Sequence, residues 1–267
     1  ARATAAVTGA GYSSIGRGGA TSYTGGLNPD REKSVVVDTQ GLNQILEINR
    51  EDMYVTVEAG VSWKQLHEAL NHTDVRTPFW GPLSGGQATV GGSLSQNANL
   101  LVSTQHDVSA ASVLSLEVVL ADGTVLTTGS AATCDKPYFR NYGPDLTGLF
   151  LGDTGALGIK TRATLRLLRR PQEMGFGSFN FDDPAKVSRA MAAVAREGVA
   201  SSCFGMDPML QYQRIKRASM LQGVKALKGV VASATSTFSG IRSAMRIAVA
   251  GKRFIDENGY SLHVVVE

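Results

Sequence analysis

Between residues 34 and 58, short apolar runs alternate with turn residues: Ser34-Val-Val-Val-Asp38, Ile45-Leu-Glu-Ile-Asn49 and Met53-Tyr-Val-Thr-Val-Glu58. Their length and β-branched content predict three strands. Ser62 followed by Gln65 has the spacing of a capping box and predicts a helix through about Leu70, with Leu66 and Leu70 on one face. From 76 to 98 periodicity nearly vanishes and seven residues are Gly or Pro, which predicts either a long ordered loop or no ordered structure. Residues 113–120 and 125–128 flank Ala121-Asp-Gly-Thr124, a hairpin whose tight turn takes its positive φ angles at Asp122 and Gly123. A strand over 158–168 stops near Pro171, where the texture changes and a domain boundary is placed. Beyond it, 177–181 reads as a strand, Asp183-Pro184 as a helix N-cap and first turn, and 185–196 as an Ala-rich helix. The segment 208–255 reads as mainly helical, and 262–267 as strand-like. No internal repeat is visible.

Composition narrows the class. The chain has 267 residues, 43% of them hydrophobic, enough to bury a core in one large or two medium domains. A net charge of +3 excludes nucleic acid as a partner suggested by charge alone. The basic excess is local: 208–255 holds nine Lys/Arg and no Asp/Glu. That segment is expected either to be a solvated helix face or to touch anionic lipid as a peripheral contact. Cys134 and Cys203 form no CxxC or metal spacing and read as buried reduced thiols, although spacing alone leaves a disulfide open. No run of 18 apolar residues occurs. The first ten residues lack a signal-peptide pattern, and the chain ends on an apolar run, so it reads as a fragment of a cytoplasmic protein cut at both ends, with contact at the membrane inner face as an added expectation.

The 30 glycines cluster, which directs attention to specific loops. The first cluster runs Gly16-Arg-Gly-Gly-Ala-Thr-Ser-Tyr-Thr-Gly-Gly26. Successive small residues let main-chain N–H groups approach an anion, and hydroxyls add donors. It is neither a Rossmann fingerprint, since Gly16-x-Gly18-x-x-Thr21 ends in Thr, nor a Walker loop, since no Gly-Lys-Ser/Thr exists in the chain. The stretches Gly81-Pro-Leu-Ser-Gly-Gly-Gln-Ala-Thr-Val-Gly-Gly-Ser-Leu-Ser-Gln-Asn97 and Gly152-Asp-Thr-Gly-Ala-Leu-Gly-Ile159 repeat this chemistry. Three such loops suit one large phosphate-bearing ligand with an extended polar body, such as a dinucleotide.

Taken in order, these loops and the hairpin at 113–123 resemble the FAD-linked oxidases of the vanillyl-alcohol oxidase type, in the branch of D-lactate and glycolate dehydrogenases. The resemblance implies an α+β fold: a PCMH-type FAD-binding domain of two α/β subdomains over 1–171, lacking its first strand, then a truncated α+β substrate cap over 172–267. It further implies that Arg17, Gly18, Gly19, Ala20, Thr21 and Ser22 cradle the FAD pyrophosphate. Ser84, Thr89, Gly91, Gly92, Ser93 and Asn97 would line the ribityl and isoalloxazine side, and Gly155, Gly158 and Ile159 the adenine end. Ala20 stands where the family usually has Gly, a change of small cost at negative φ. Thr154 and Ala156 replace residues commonly Glu and Thr or Gly, and His106-Asp107 replaces a common Tyr-Gly. Thr21 stands where some relatives carry a flavin-linking His, so FAD is expected to be non-covalent.

Rival sites are weaker. His67 and His72 are five apart, about 140° around a helix, too far to share a metal, so no metal site is expected. No Gly-x-Ser-x-Gly elbow supports a hydrolase. The resemblance implies oxidation of a 2-hydroxy acid by hydride transfer to flavin N5, with a quinone, cytochrome or other protein as electron acceptor. Catalytic residues stay unassigned, and His263 is too isolated in sequence to nominate. A non-redox flavoenzyme of the alkyl-dihydroxyacetone-phosphate-synthase type, or a flavin-free binding subunit, are the alternatives.

Overall fold

The computed structural model describes residues 1–29, 31–99, 103–134, 136–141, 143–211 and 259–267. In chain order the elements are α1 (Arg2–Gly9), β1 (Ser13–Arg17), β2 (Ser34–Asp38), β3 (Ile45–Asn49), β4 (Tyr54–Glu58), α2 (Trp63–Leu70), β5 (Val75–Arg76) and α3 (Val90–Ser95). There follow α4 (Ser103–His106), β6 (Val113–Val119), β7 (Val125–Thr127), α5 (Leu146–Leu149), β8 (Ile159–Arg166) and β9 (Leu168–Arg169). Last come β10 (Gly175–Phe181), α6 (Pro184–Glu197), β11 (Ser202–Met206) and β12 (Tyr260–Val266). The fold is α+β, and it divides into two compact units, Ala1–Glu173 and Met174–Glu267.

The first unit is organised by an antiparallel five-stranded sheet of order β3-β4-β8-β6-β7. Val55, Val57, Leu116, Val118, Ala163 and Leu165 turn inward and meet Leu66 and Leu70 of α2, Val90 and Leu94 of α3, and Phe79. Beside it, β1 pairs in parallel with β2, with Ser13 opposite Ser34. Helix α2 starts where the capping box predicts: Ser62 Oγ accepts from Gln65 N, and the Gln65 side chain accepts from Ser62 N at 2.8 Å. In the second unit β12 lies between β10 and β11, antiparallel to both. Helix α6 begins with Asp183 accepting from Ala185 N and ends at Gly198 with φ 65°. A Cβ on Gly205 would stand 3.2 Å from Val187 Cγ1 and from Met191 Sδ, so this glycine lets the helix pack closely on the sheet.

Four expectations need correction. The stretch 76–98 is not featureless, because α3 forms inside it. Gly91 and Gly92 hide its helical pattern, yet Val90 and Leu94 are fully buried and Thr89 caps its start by accepting from Gly92 N. At the 120–124 hairpin only Gly123 takes a positive φ, of 86°, among the described loop residues. Gly123 N donates to Leu120 O and Leu120 N to Thr124 O, which makes a three-residue loop rather than a two-residue turn. Cys134 is exposed, not buried, because it sits at the end of a short surface turn where its thiol meets Ser130 O at 3.1 Å; neither cysteine is in a disulfide. His263 is isolated only in sequence. The register of β12 sets Ser178 and Ser261 hydroxyls 2.9 and 3.0 Å from its two ring nitrogens and stacks it on Phe204. All nine basic residues of 208–255 lie outside the described residues.

Candidate functional site

The three glycine clusters converge. Loop 1 (17–26) leaves the end of β1, and its first glycines lie directly on loop 2 (81–97). A Cβ on Gly18 would collide with Thr89 Oγ1 and stand 3.6 Å from Gly92 Cα, while one on Gly19 would strike the main-chain oxygen of Gln87. Only glycine permits that approach. Ser84 Oγ reaches Thr21 Oγ1 at 3.3 Å, and Thr24 Oγ1 donates to Gln96 Oε1 at 3.1 Å. Loop 3 (152–158) is tied to loop 2 by Gly152 N donating to Leu94 O at 2.9 Å and Thr154 N to Ser95 O at 2.8 Å. It meets loop 1 at Gly26, where an added Cβ would lie 3.8 Å from that of Thr154.

Each loop also holds one non-glycine residue in the left-handed region: Ala20 at φ 53°, Asn97 at 47° and Thr154 at 53°. Such strain persists only where surroundings impose it, and it gathers at binding sites. The Ala20 substitution is therefore not cheap, because φ there is positive. Asp107 adds a further case at 68°, next to His106, whose Nε2 lies 3.3 Å from Arg76 Nη2.

Main-chain donors distinguish the loops. None of the N–H groups of residues 18–22 is hydrogen-bonded within the described residues. Consecutive outward amides around a left-handed residue make a concavity for an anion. Loop 3 is the opposite. Gly155 N and Leu157 N donate to the Asp153 carboxylate at 3.0 and 3.3 Å, and Ala156 N to Asp153 O at 2.9 Å. Lys160 Nζ meets the same carboxylate at 2.7 Å, with both side chains buried. Burial pushes the Lys160 ammonium below its usual pKa, and its hydrogen bond to Asp153 acts against that shift. The pair was not read from sequence; the only signal was a Lys within a strand expected to lie in the sheet.

The remaining expected site residues fall into place as follows. Arg17 is turned to Asp38 at 2.6 Å, and Ser22 bonds Thr24 at 3.0 Å. Ser93 is buried and accepts from the Trp63 indole at 2.7 Å, so its hydroxyl serves the core. Gly91 packs on Ala59, Gly158 on Val118, and Ile159 lies under Gly16. Asn97 is exposed. A polar groove of about 590 Å³ runs beside loops 1 and 2, bordered by Arg17, Gly19, Gln40, Lys64, Gln87 and Thr89. No group of three or more His, Cys, Asp and Glu suited to a metal occurs among the described residues.

Residues 2–129 match the FAD binding domain family. Over that stretch, a little under half of its length, the chain is similar to this family. It is similar to a protein named "Probable D-lactate dehydrogenase, mitochondrial" of Danio rerio, at 32% identity over 183 residues, 68% of this chain and 35% of the relative. It is 35% identical over 158 residues to the glycolate oxidase subunit GlcD of Bacillus subtilis, covering 59% of this chain and 32% of the relative. The chain thus spans about a third of the length of these curated relatives. A solved alkyldihydroxyacetonephosphate synthase shares the fold with a TM-score of 0.71, over 100% of this chain and 44% of that chain, at 20% identity. The family matched by residues 2–129 is one of FAD binding domains. The residues present fit FAD: the amides of 18–22, unbonded among the described residues, suit a pyrophosphate, and the convergence of loops 2 and 3 on loop 1 provides for an extended molecule.

Proposed function

We propose that the protein to which this chain belongs is an FAD-dependent oxidoreductase that oxidises a 2-hydroxy acid of the D-lactate or glycolate type, with FAD held non-covalently. The observation that carries the reading is the row of amides at 18–22, unbonded among the described residues and packed through Gly18 and Gly19 onto loop 2. Bound flavin supplies the acceptor for the hydride leaving the carbon that bears the hydroxyl. Loop 1 meets the pyrophosphate with main-chain N–H groups, so anion binding there needs no cationic side chain, and Arg17 is already neutralised by Asp38. Thr21 offers no imidazole for a covalent link, and its hydroxyl is engaged with Ser84. The names of the two relatives, one a D-lactate dehydrogenase and one a glycolate oxidase subunit, support the substrate class. Reoxidation would fall to a quinone, a cytochrome or another protein acceptor.

The test is a visible spectrum of the purified full-length protein, before and after acid precipitation, followed by anaerobic addition of D-lactate or glycolate. A flavin band that passes into the acid supernatant and bleaches with one of these acids is expected. A colourless protein that gains no flavin on incubation overturns the cofactor reading. A flavin that no 2-hydroxy acid bleaches overturns the redox reading and favours a non-redox flavoenzyme.

A further inference from the structure

Lys160 and Asp153 form an ion pair with side-chain exposures of 2% and 3%, beneath the third glycine loop. A buried ion pair is weak evidence for stability, since well-packed apolar residues at the same place are often neutral or better. What the pair does locally is specific. The Asp153 carboxylate gathers the N–H groups of Gly155 and Leu157, its carbonyl takes that of Ala156, and Lys160 fixes the carboxylate from below. Thr154 and Gly155 are thereby held with φ at 53° and 83°.

The chemistry of the resulting surface follows. Charge is neutralised internally and the amides of 155–157 are consumed, so this loop presents no anion site. It presents instead the exposed side chains of Thr154, Ala156 and Leu157, beside the far end of loop 1 at Gly26. An apolar ledge with one hydroxyl suits a flat uncharged ring, and loop 1 suits the phosphates.

We propose that Asp153 and Lys160 are positioning residues that hold loop 3 in the shape that takes one uncharged end of the dinucleotide. The inference rests on the FAD reading above. It assigns the pair neither contact with the cofactor nor a part in the reaction.

The experiment uses the whole chain and three proteins: wild type, Lys160→Met, and the double variant Asp153→Asn/Lys160→Met. Dissociation constants for FAD, FMN and ADP are measured by fluorescence or calorimetry, alongside the melting temperature of each protein without ligand. FMN and ADP each carry one end of FAD. The double variant leaves no buried charge unpaired, so its melting temperature should stay within about 5 °C of wild type. Its affinity for FAD should fall by about tenfold or more, and affinity for only one of FMN and ADP should fall with it. Lys160→Met strands the Asp153 charge and should lose both stability and FAD binding. Unchanged FAD affinity in the double variant overturns the proposal. So does a loss shared equally by FMN and ADP, or a double variant that fails to fold, since the pair would then serve the fold at large. Wild type that binds none of the three ligands instead overturns the FAD reading itself.

Discussion

Ala20 carries a side chain where the backbone wants none, at φ 53°. The left-handed conformation costs an L-residue about 1–2 kcal/mol, part of which glycine returns as extra freedom in the unfolded chain. Ala20→Gly should therefore stabilise the protein by about 1 kcal/mol in denaturant melts, whereas Ala20→Val should destabilise it. Gly19→Ala is the opposite test. Its Cβ would strike Gln87 O, so the loops must part, and FAD affinity should fall by about a hundredfold or more in a fluorescence titration. Ser93→Ala should cost about 1–3 kcal/mol of stability, because the buried Trp63 Nε1 loses its acceptor. These residues also mark what the sequence makes legible. Gly18 and Gly19 declare small size, and size is what their packing requires. Ala20 and Ser93 do not declare a φ angle or a partner 30 residues away, since both are set by the tertiary contacts of loops 1 and 2.

At the scale of elements, legibility followed locality. Helix α2 could be read because Ser62 and Gln65 satisfy each other within one turn. Helix α3 could not, because two of its six residues are glycines and its stability comes from burying Val90 and Leu94. Helix α5 is another short case, held at its start by Asp145, which accepts from Gly148 N at 2.9 Å and pairs with Arg140. The Arg140 hydrogen bond, and to a smaller degree the Gly148 N–H, hold the Asp145 carboxyl below its usual pKa. A carboxylate depressed in the folded state contributes stability above its unfolded pKa, and that contribution is lost as pH falls through the folded value. Stability attributable to Asp145 should thus be full at neutral pH and decline below about pH 4. In Asp145→Asn the acid limb of a melting-temperature profile should be flatter. An equally steep limb would assign acid lability to other carboxylates.

The whole molecule builds its candidate site from three segments, 17–26, 81–97 and 152–158, that are far apart in sequence, and all three fall within the unit Ala1–Glu173. No short stretch of chain holds more than one of them, so an unfolded chain has no comparable surface for FAD. A ligand that binds only the folded state stabilises it by mass action, about 2.7 kcal/mol at a free concentration 100 times Kd. Hydrogen exchange should resolve how that stabilisation is distributed. The amides of 18–22 have no partner among the described residues and should exchange at near-unfolded rates without cofactor. The amides of Gly155, Ala156 and Leu157 are bonded to Asp153 and should be protected before any ligand is added. Adding FAD should slow exchange at 18–22 by at least about tenfold beyond the global gain, because new donors are engaged there, while loop 3 should slow only as far as global stability rises. The reverse pattern, with loop 3 gaining the local protection and loop 1 none, would move the phosphates away from loop 1 and remove the argument that the row of unbonded amides is the anchor of the cofactor.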